Sequence, residues 1–304
     1  MSQPSSQRIV PHLWFDGASE EAATLYASLF PNASVGTVSR YGKEGFEQHG
    51  QPEGTAMIVE FMLDDCPFVF LNGGPRFKPT PAVSYFVAFE KEEDVDRAWQ
   101  ALLEGGEVAM PLDAYDWSPK YGWVVDRFGV SWQLSLGETE KLGGRRVASA
   151  LLFVREQAGK AEEALNHYVA TFPNSSVTGI FHHDGSGPEP KGNVLHAQFT
   201  LDGAGFMAMD SSMDAHQFTF SEANSFIVFC DTQEEIDHYW AALSHKPEAE
   251  QCGWAADRWG VSWQIIPREL PQLMQKPGVV DAFMGMKKLD LAELKRVAQE
   301  GAGR

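Results

Sequence analysis

Two glutamines stand at the same place in a long motif that the sequence contains twice. Residues 121–133 read YGWVVDRFGVSWQ and residues 252–264 read CGWAADRWGVSWQ, so that Gln133 and Gln264 are equivalent. Apolar and polar residues alternate before each glutamine, which predicts a strand with one apolar face and one face of amides and hydroxyls. A buried amide needs hydrogen-bond partners. Each glutamine therefore either bonds to its neighbours in the core or lines a ligand cavity.

Further polar side chains lie on the predicted third strand of each copy. Glu60 and Gln198 are equivalent by the repeat, and His196 shares the face of Gln198 because residues two apart on a strand point the same way. A carboxylate on an enclosed sheet face can act as a general base when burial raises its pKa. The alternative for Glu60 is a structural ion pair with a basic residue such as Arg40.

Three aromatic residues of the first copy are candidates for the lining of a cavity. Trp14, Phe70 and Trp117 would suit a planar or hydrophobic small molecule. The alternative is that they occupy ordinary core positions.

The elements that must position these residues recur in order. A strand at 9–15 precedes an apolar helical stripe that ends at Pro31, and strands follow at about 34–41, 55–64 and 67–72. The second copy repeats this with a strand at 151–154, a helix that ends at Pro173, and strands at about 176–182, 193–202 and 205–210. Each copy then restarts with a strand, a helix and the tryptophan-rich hairpin, whose turn the paired Asp and Arg residues brace.

The pattern therefore predicts four βαβββ-like units arranged as two pairs, in an α+β fold. We expect a first domain at 8–137, a linker at 138–146, a second domain at 146–268 and a helical C-terminal tail at 269–304. In the tail, Asp290 can cap a helix. About ten additional residues, 110–119, precede the hairpin of the first copy and predict one more strand and a loop over the cavity mouth.

Composition limits the possible partners. The 304 residues carry a formal net charge of −18, which argues against binding to nucleic acid or to an anionic membrane surface. Three cysteines without metal-type spacing argue against a disulfide framework. The polar N-terminus lacks the apolar core of a signal peptide, and no run reaches membrane-spanning length, so we expect a cytoplasmic protein.

Several strings resemble a known superfamily. Residues 14–22 (WFDGASEEA), the FPN after each first helix, residues 71–75 (LNGGP) and the repeated GWxxDRxGVSWQ are similar to the vicinal oxygen chelate (glyoxalase, bleomycin resistance and dioxygenase) superfamily. They resemble its PhnB-like branch most closely, and the resemblance covers about residues 8–268. It implies a tandem pair of glyoxalase-like domains, each with two βαβββ units whose sheets curl into an open barrel around a cavity.

The resemblance also implies positions at which superfamily enzymes hold a divalent metal. In copy order, the paired residues at these positions are His12 and Ala150, Asn72 and Asp210, Ser84 and Ser225, and Gln133 and Gln264. A first-row metal favours three or four good donors, with imidazole and carboxylate preferred. Each copy offers too few of them, and we therefore expect no metal. If an ion binds, its ligands would be His12 or His196 together with Gln133 or Gln264.

We interpret the chain as a small-molecule binding protein without assignable catalysis. The alternatives are a metal-dependent enzyme of the lyase, dioxygenase or thiol transferase type, and a degenerate duplicate that supports one active copy. A methyltransferase is rejected because no glycine-rich turn for its methyl donor follows a first strand. We expect the two domains to pair within the chain, with a homodimer as a further possibility. The expected ligand-binding residues are His12, Trp14, Glu60, Asn72, Gln133, His196, Gln198, Asp210 and Gln264.

Overall fold

The computed structural model describes residues 7–42, 50–137 and 146–301, and most of the predicted linker lies outside these ranges. The chain forms two compact units. Of the described residues, unit 1 contains 7–10 and 225–301, and unit 2 contains 11–42, 50–137 and 146–224. No described helix is long and apolar enough to cross a membrane.

The first βαβββ module follows the predicted order. It consists of β1 (Ile9–Phe15), α1 (Ser19–Leu29), β2 (Ala33–Arg40), β3 (Ala56–Leu63) and β4 (Cys66–Asn72). Strand β4 lies between β1, to which it is parallel, and β3, to which it is antiparallel. Helix α1 ends before Pro31 as predicted, because proline cannot continue a helix.

The second module of the first copy contains the additional strand that the ten extra residues predict. Its elements are β5 (Val83–Phe89), α2 (Glu92–Leu103), β6 (Glu107–Tyr115), β7 (Ser118–Val125) and β8 (Ser131–Leu136). Strand β6 pairs with β7, and β7 pairs with β8. The extra residues thus extend an antiparallel ribbon beyond the tryptophan-rich hairpin.

The second copy repeats the plan with a shorter last module. Its first module consists of β9 (Val147–Val154), α3 (Ala161–Thr171), β10 (Ser176–His182), β11 (Val194–Leu201) and β12 (Ala204–Ser211). Its second consists of β13 (Asn224–Cys230), α4 (Gln233–Leu243), β14 (Trp254–Ala256) and β15 (Ser262–Pro267). Within the described part of this module no strand corresponds to β6.

Strand pairing in unit 2 joins modules from different copies. The order in its eight-stranded sheet is β10-β11-β12-β9-β5-β8-β7-β6, and β5 pairs with β9 in antiparallel register. The second module of copy one and the first module of copy two therefore share one sheet. The α+β architecture of repeated modules is confirmed, and the cross-copy pairing is a detail that the repeat alone does not specify.

The main aromatic core of unit 2 lies between α1 and the apolar faces of the strands. The Tyr26 ring lies 4.8 Å from the Trp132 ring and 6.0 Å from the Phe70 ring, measured between centroids. All three side chains are fully buried. Of the two alternatives for Phe70, cavity lining and ordinary core, the structure therefore shows the core position.

The described part of the C-terminal tail contains α5 (Leu270–Leu273), α6 (Val279–Met284) and α7 (Leu291–Gly301). Its helices share a small apolar core that includes Leu270, Val279, Leu289 and Leu294. The Oδ1 atom of Asp290 accepts a hydrogen bond from the Glu293 amide at 2.9 Å, so the predicted cap is confirmed.

Candidate functional site

One face of the eight-stranded sheet in unit 2 gathers most of the polar candidates of that unit, and we call it the amide face. Cross-strand partners point to the same side of a sheet. The register pairs Gln133 with Phe86, Ser84 with Ala150, and Ala150 with Met207. These five side chains therefore share the amide face, while Trp132 points to the helices on the other side.

Gln133 is the centre of a buried hydrogen-bonded cluster on this face. Its Oε1 atom accepts a hydrogen bond from the Tyr121 hydroxyl at 2.7 Å, and its Nε2 atom donates to the Ser84 hydroxyl at 2.8 Å. Burial raises the pKa of Tyr121, so this hydroxyl keeps its proton and acts as a donor. The second N–H of the amide and the hydroxyl proton of Ser84 stay available for a further acceptor.

An apolar floor lies beside the Gln133 cluster. Ala148, Ala150 and Met207 are buried and pack together, with Phe86 and Met209 against them. These side chains are apolar and form no side-chain hydrogen bonds, and an apolar lining is typical of small-molecule sites.

A second polar cluster lies at the end of β12, and sequence reasoning missed it. The Ser211 hydroxyl donates to Oε1 of Glu189 at 2.9 Å and lies 3.0 Å from Nε2 of His216. Ser211 follows Met209 by two residues and therefore shares the amide face. The available signal was the alternation along β12, whereas Glu189 and His216 come from loops without a recognisable motif.

In this second cluster, burial and the neighbouring groups have opposite effects on the pKa of each titratable side chain. Burial acts to raise the pKa of Glu189, but hydrogen bonds from the Ser212 amide and the Ser211 hydroxyl outweigh it and lower the pKa. Burial lowers the pKa of His216, and the nearby Glu189 carboxylate counteracts that effect in part. At neutral pH the cluster therefore presents an anionic carboxylate and a neutral imidazole.

The first copy has a different arrangement at the position equivalent to Ser211. That position holds Gly73, and a Cβ atom there would overlap the indole ring of Trp14. The indole Nε1 atom donates to the Gly74 carbonyl at 2.6 Å. Trp14 thus lies over a bare glycine, while its counterpart Leu152 leaves room for a serine hydroxyl in copy two.

His12 and Glu60 share a face of their own sheet. Val69 is the cross-strand partner of both, so all three side chains point the same way. His12 is buried, and desolvation lowers the pKa of its imidazole to about 3. Glu60 is exposed, and its carboxylate accepts a long hydrogen bond from the Thr37 amide at 3.4 Å.

Arg40 does not pair with Glu60 as the alternative for this carboxylate suggested. Its guanidinium binds Glu20, with a shortest distance of 2.7 Å. Glu60 is exposed and does not lie on the enclosed sheet face on which a general base was expected.

Asn72 and Asp210 perform the same structural task in the two copies. Asn72 Oδ1 accepts from the Ser19 amide at 3.0 Å, and its Nδ2 atom donates to the Ala56 carbonyl at 2.8 Å. Asp210 accepts from the amides of Gly159, Ala161 and Val194 at 2.8, 3.1 and 2.8 Å. Both residues hold the chain that leads into a helix. On β12, Asp210 points away from the amide face because its neighbours Met209 and Ser211 point toward it.

The remaining candidates divide between the units. His196 and Gln198 lie on the amide face, because Gln198 pairs with Met207 across the sheet. Burial lowers the pKa of His196, so its imidazole is neutral at neutral pH. In unit 1, Gln264 Nε2 donates to the Ser225 hydroxyl at 3.0 Å, which repeats the Gln133–Ser84 pair.

The aspartates of the repeated motif brace their turns, as predicted. Asp126 Oδ1 accepts from the amides of Phe128 and Val130, and its Oδ2 atom accepts from the Trp132 indole at 3.0 Å. Asp257 makes the corresponding bonds, including one from the Trp263 indole at 3.0 Å. The Asp and Trp of the motif are therefore mutual hydrogen-bond partners in both copies.

The residues of the amide face do not fit a divalent metal. Both polar atoms of Gln133 are engaged by Tyr121 and Ser84, and Ala150 contributes no donor. Across residues 7–42, 50–137 and 146–301, no three His, Cys, Asp or Glu side chains converge on one point. A first-row metal favours three or four ligands and prefers imidazole and carboxylate groups among them.

Comparison with known proteins places the chain in a family. The family profile of 3-demethylubiquinone-9 3-methyltransferase matches residues 7–135 and again residues 145–266. The PhnB protein of Bacillus cereus is 38% identical over 43% of this chain and 100% of its own, with a TM-score of 0.40. A search of curated proteins gives no match.

Two further solved structures have lower sequence identity. Glyoxalase I from Zea mays is 8% identical over 85% of this chain and 93% of its own, with a TM-score of 0.50. A mutant form of the fosfomycin resistance protein FosX from Listeria monocytogenes is 16% identical over 46% of this chain and 97% of its own, with a TM-score of 0.32. At 8% identity, the likeness to glyoxalase I extends to the fold alone. The chain belongs to the 3-demethylubiquinone-9 3-methyltransferase family, is PhnB-like, and contains the family's domain in tandem.

Proposed function

We propose that the amide face of unit 2 binds a small organic molecule that has polar groups at two ends of an apolar body. The observation that carries this proposal is the position of two polar clusters, around Gln133 and around Ser211, on one face with an apolar floor between them. Strands β8 and β12 are three strand spacings apart, which corresponds to about 14 Å along the sheet.

The hydrogen-bonding capacity of the clusters defines the matching ligand groups. Near Gln133, the spare amide N–H and the Ser84 hydroxyl suit a carbonyl or hydroxyl oxygen of the ligand. Near Ser211, the Glu189 carboxylate and the neutral His216 imidazole suit a hydroxyl or an amine. His196 and Gln198, on the same face, extend this polar end.

Catalysis through a metal or a methyl donor is not part of the proposal. We propose no divalent ion for the amide face, because both polar atoms of Gln133 are already hydrogen-bonded to Tyr121 and Ser84. At the first strand-to-helix turn, where a glycine-rich loop would hold a nucleotide-like cofactor, the Asn72 carboxamide binds the Ser19 amide. The methyltransferase name of the family is therefore not a guide to the activity that we propose for this chain.

Equilibrium dialysis against a defined mixture of metabolites, read by mass spectrometry, tests the proposal. We expect at least one amphipathic compound to be retained by the wild type, with at least tenfold lower affinity for Gln133→Leu and for Ser211→Ala. Gln272→Leu changes an exposed amide of the tail and is the matched control. Retention of no compound, or equal affinity in both site variants and the control, would contradict the proposal.

A further inference from the structure

An exposed aromatic pair stands beside the amide face, in the ribbon that only the first copy contains. Trp117 is 66% exposed, which is unusual for so large an apolar side chain. Its ring stacks on Tyr115 with centroids 4.8 Å apart and an angle of 21° between the planes. We call Tyr115 and Trp117 the aromatic platform.

The platform is held in place by its neighbours. The Tyr115 hydroxyl donates to the Pro111 carbonyl at 2.9 Å. The Tyr121 ring meets Tyr115 and Trp117 edge to face, with centroids 5.8 and 6.0 Å away. Both platform rings are therefore oriented before any ligand arrives, and the exposed area of Trp117 leaves ring surface for a further partner.

Tyr121 connects the platform to the Gln133 cluster. Its ring contacts both platform residues, and its hydroxyl donates to Oε1 of Gln133. One side chain, Tyr121, therefore separates the exposed platform from the buried Gln133 amide.

The charge around the platform is negative. Asp113 is the cross-strand partner of Tyr121, and Asp116 precedes Trp117. Neither carboxylate forms an ion pair with a described residue. The nearby cation of Lys120 binds Glu92 and Asp96, at 2.9 and 2.5 Å, and is thereby neutralised.

We infer that the aromatic platform binds a planar organic cation, ring against ring. The faces of Trp and Tyr rings carry negative potential and attract cations, and flat rings add stacking area. The carboxylates of Asp113 and Asp116, which form no ion pair with a described residue, also favour a positively charged ring and would repel an anionic one. This inference rests on the proposed function, because it names the ligand class for one end of the same site.

Three probes of different shape and charge test the inference by isothermal titration calorimetry. N-methylquinolinium is a planar cation, naphthalene-2-sulfonate is an anion of the same ring size, and tetramethylammonium is a cation without a ring. We expect N-methylquinolinium to bind at least tenfold more tightly than either of the others and to quench the fluorescence of Trp117.

Variants then separate stacking from charge. Trp117→Ala should weaken N-methylquinolinium binding at least tenfold, and the double variant Asp113→Asn with Asp116→Asn should weaken it about fivefold. Val108→Ala removes another exposed apolar side chain of β6 and should leave binding unchanged. Equal affinity for cation and anion, or an unaffected Trp117→Ala variant, would overturn the inference.

The outcome for the platform can be separated from that for the proposed function. If Gln133→Leu abolishes retention of the dialysis ligand while Trp117→Ala has no effect on any probe, the proposed function stands and the platform inference fails. If the wild type retains no metabolite but binds N-methylquinolinium through Trp117, the proposed function fails and the platform alone is supported. Circular dichroism checks that each variant is folded.

Discussion

The hydroxyl of Tyr26 donates a hydrogen bond to the Oδ2 atom of Asp126 at 2.6 Å, and both groups are buried. The bond joins helix α1 of the first module to the hairpin turn of the second module, 100 residues later in the chain. Within unit 2, the motif aspartate thus binds its own turn, the Trp132 indole and a helix from another module.

Replacement of Tyr26 by Phe should therefore destabilise the protein. It removes one donor from a buried carboxylate and leaves the ring in place, and such losses cost about 1–3 kcal/mol. Chemical denaturation monitored by circular dichroism measures the change. Tyr115→Phe, which removes an exposed hydroxyl, should cost less than about 0.5 kcal/mol. Equal stability of the two variants would mean that the Tyr26–Asp126 bond adds nothing.

The close approach of Trp14 to Gly73 predicts a destabilising substitution and its rescue. Gly73→Ser places a side chain where the indole lies and should cost about 1–3 kcal/mol through overpacking. Addition of Trp14→Leu recreates the combination of Leu152 and Ser211 in the second copy and should recover most of the loss. Thermal unfolding of the single and double variants measures this coupling.

The control for this pair is Gly137→Ala, since a Cβ atom at Gly137 would meet nothing within 4 Å. It should change the midpoint of unfolding very little. The destabilisation of the double variant could instead equal the sum of the losses in the two single variants. In that case, Trp14 and Gly73 do not pack in the way that Leu152 and Ser211 do in the second copy.

Much of the architecture could be predicted because the repeat states each pattern twice. The alternation around Trp132 and the proline after each first helix gave the strands and helix ends that the structure contains. The pairing of β5 with β9 could not be predicted. A sheet made of modules from one copy and a sheet made of modules from both copies bury the same apolar faces. Only the three-dimensional arrangement distinguishes them.

The candidate site was less predictable than the fold. The sequence identified Gln133 as a buried amide. It also suggested Asn72 and Asp210 as ligand-binding residues, whereas in the structure they bind backbone amides before a helix. Oxygen-bearing side chains at strand ends serve both purposes, and sequence does not show which amides lie nearby. Ser211 and His216 were missed because their contact depends on loop conformation.

The Glu189 carboxylate should tune the imidazole of His216. Since this carboxylate counteracts the burial that lowers the pKa of His216, Glu189→Gln should lower that pKa further. Titration of the His216 ring protons by NMR measures the shift, with the neutral His196 ring as an internal reference. An unchanged or raised pKa of His216 would show that the two groups do not interact in solution.

The buried imidazole of His12 should make the protein sensitive to acid. Its pKa is about 3 in the folded state and 6.5 in its ordinary environment, so between these values the unfolded chain binds the additional proton. The stabilisation is complete above pH 6.5 and is lost as the pH falls toward 3. His12→Gln has no such proton to bind, and His196 and His216 titrate alike in both proteins.

From pH 6 to pH 4, the unfolding free energy of the wild type should therefore fall more steeply than that of the variant, by up to about 1.4 kcal/mol per pH unit. Denaturant titrations at each pH measure both slopes, and parallel slopes would contradict a neutral, buried His12.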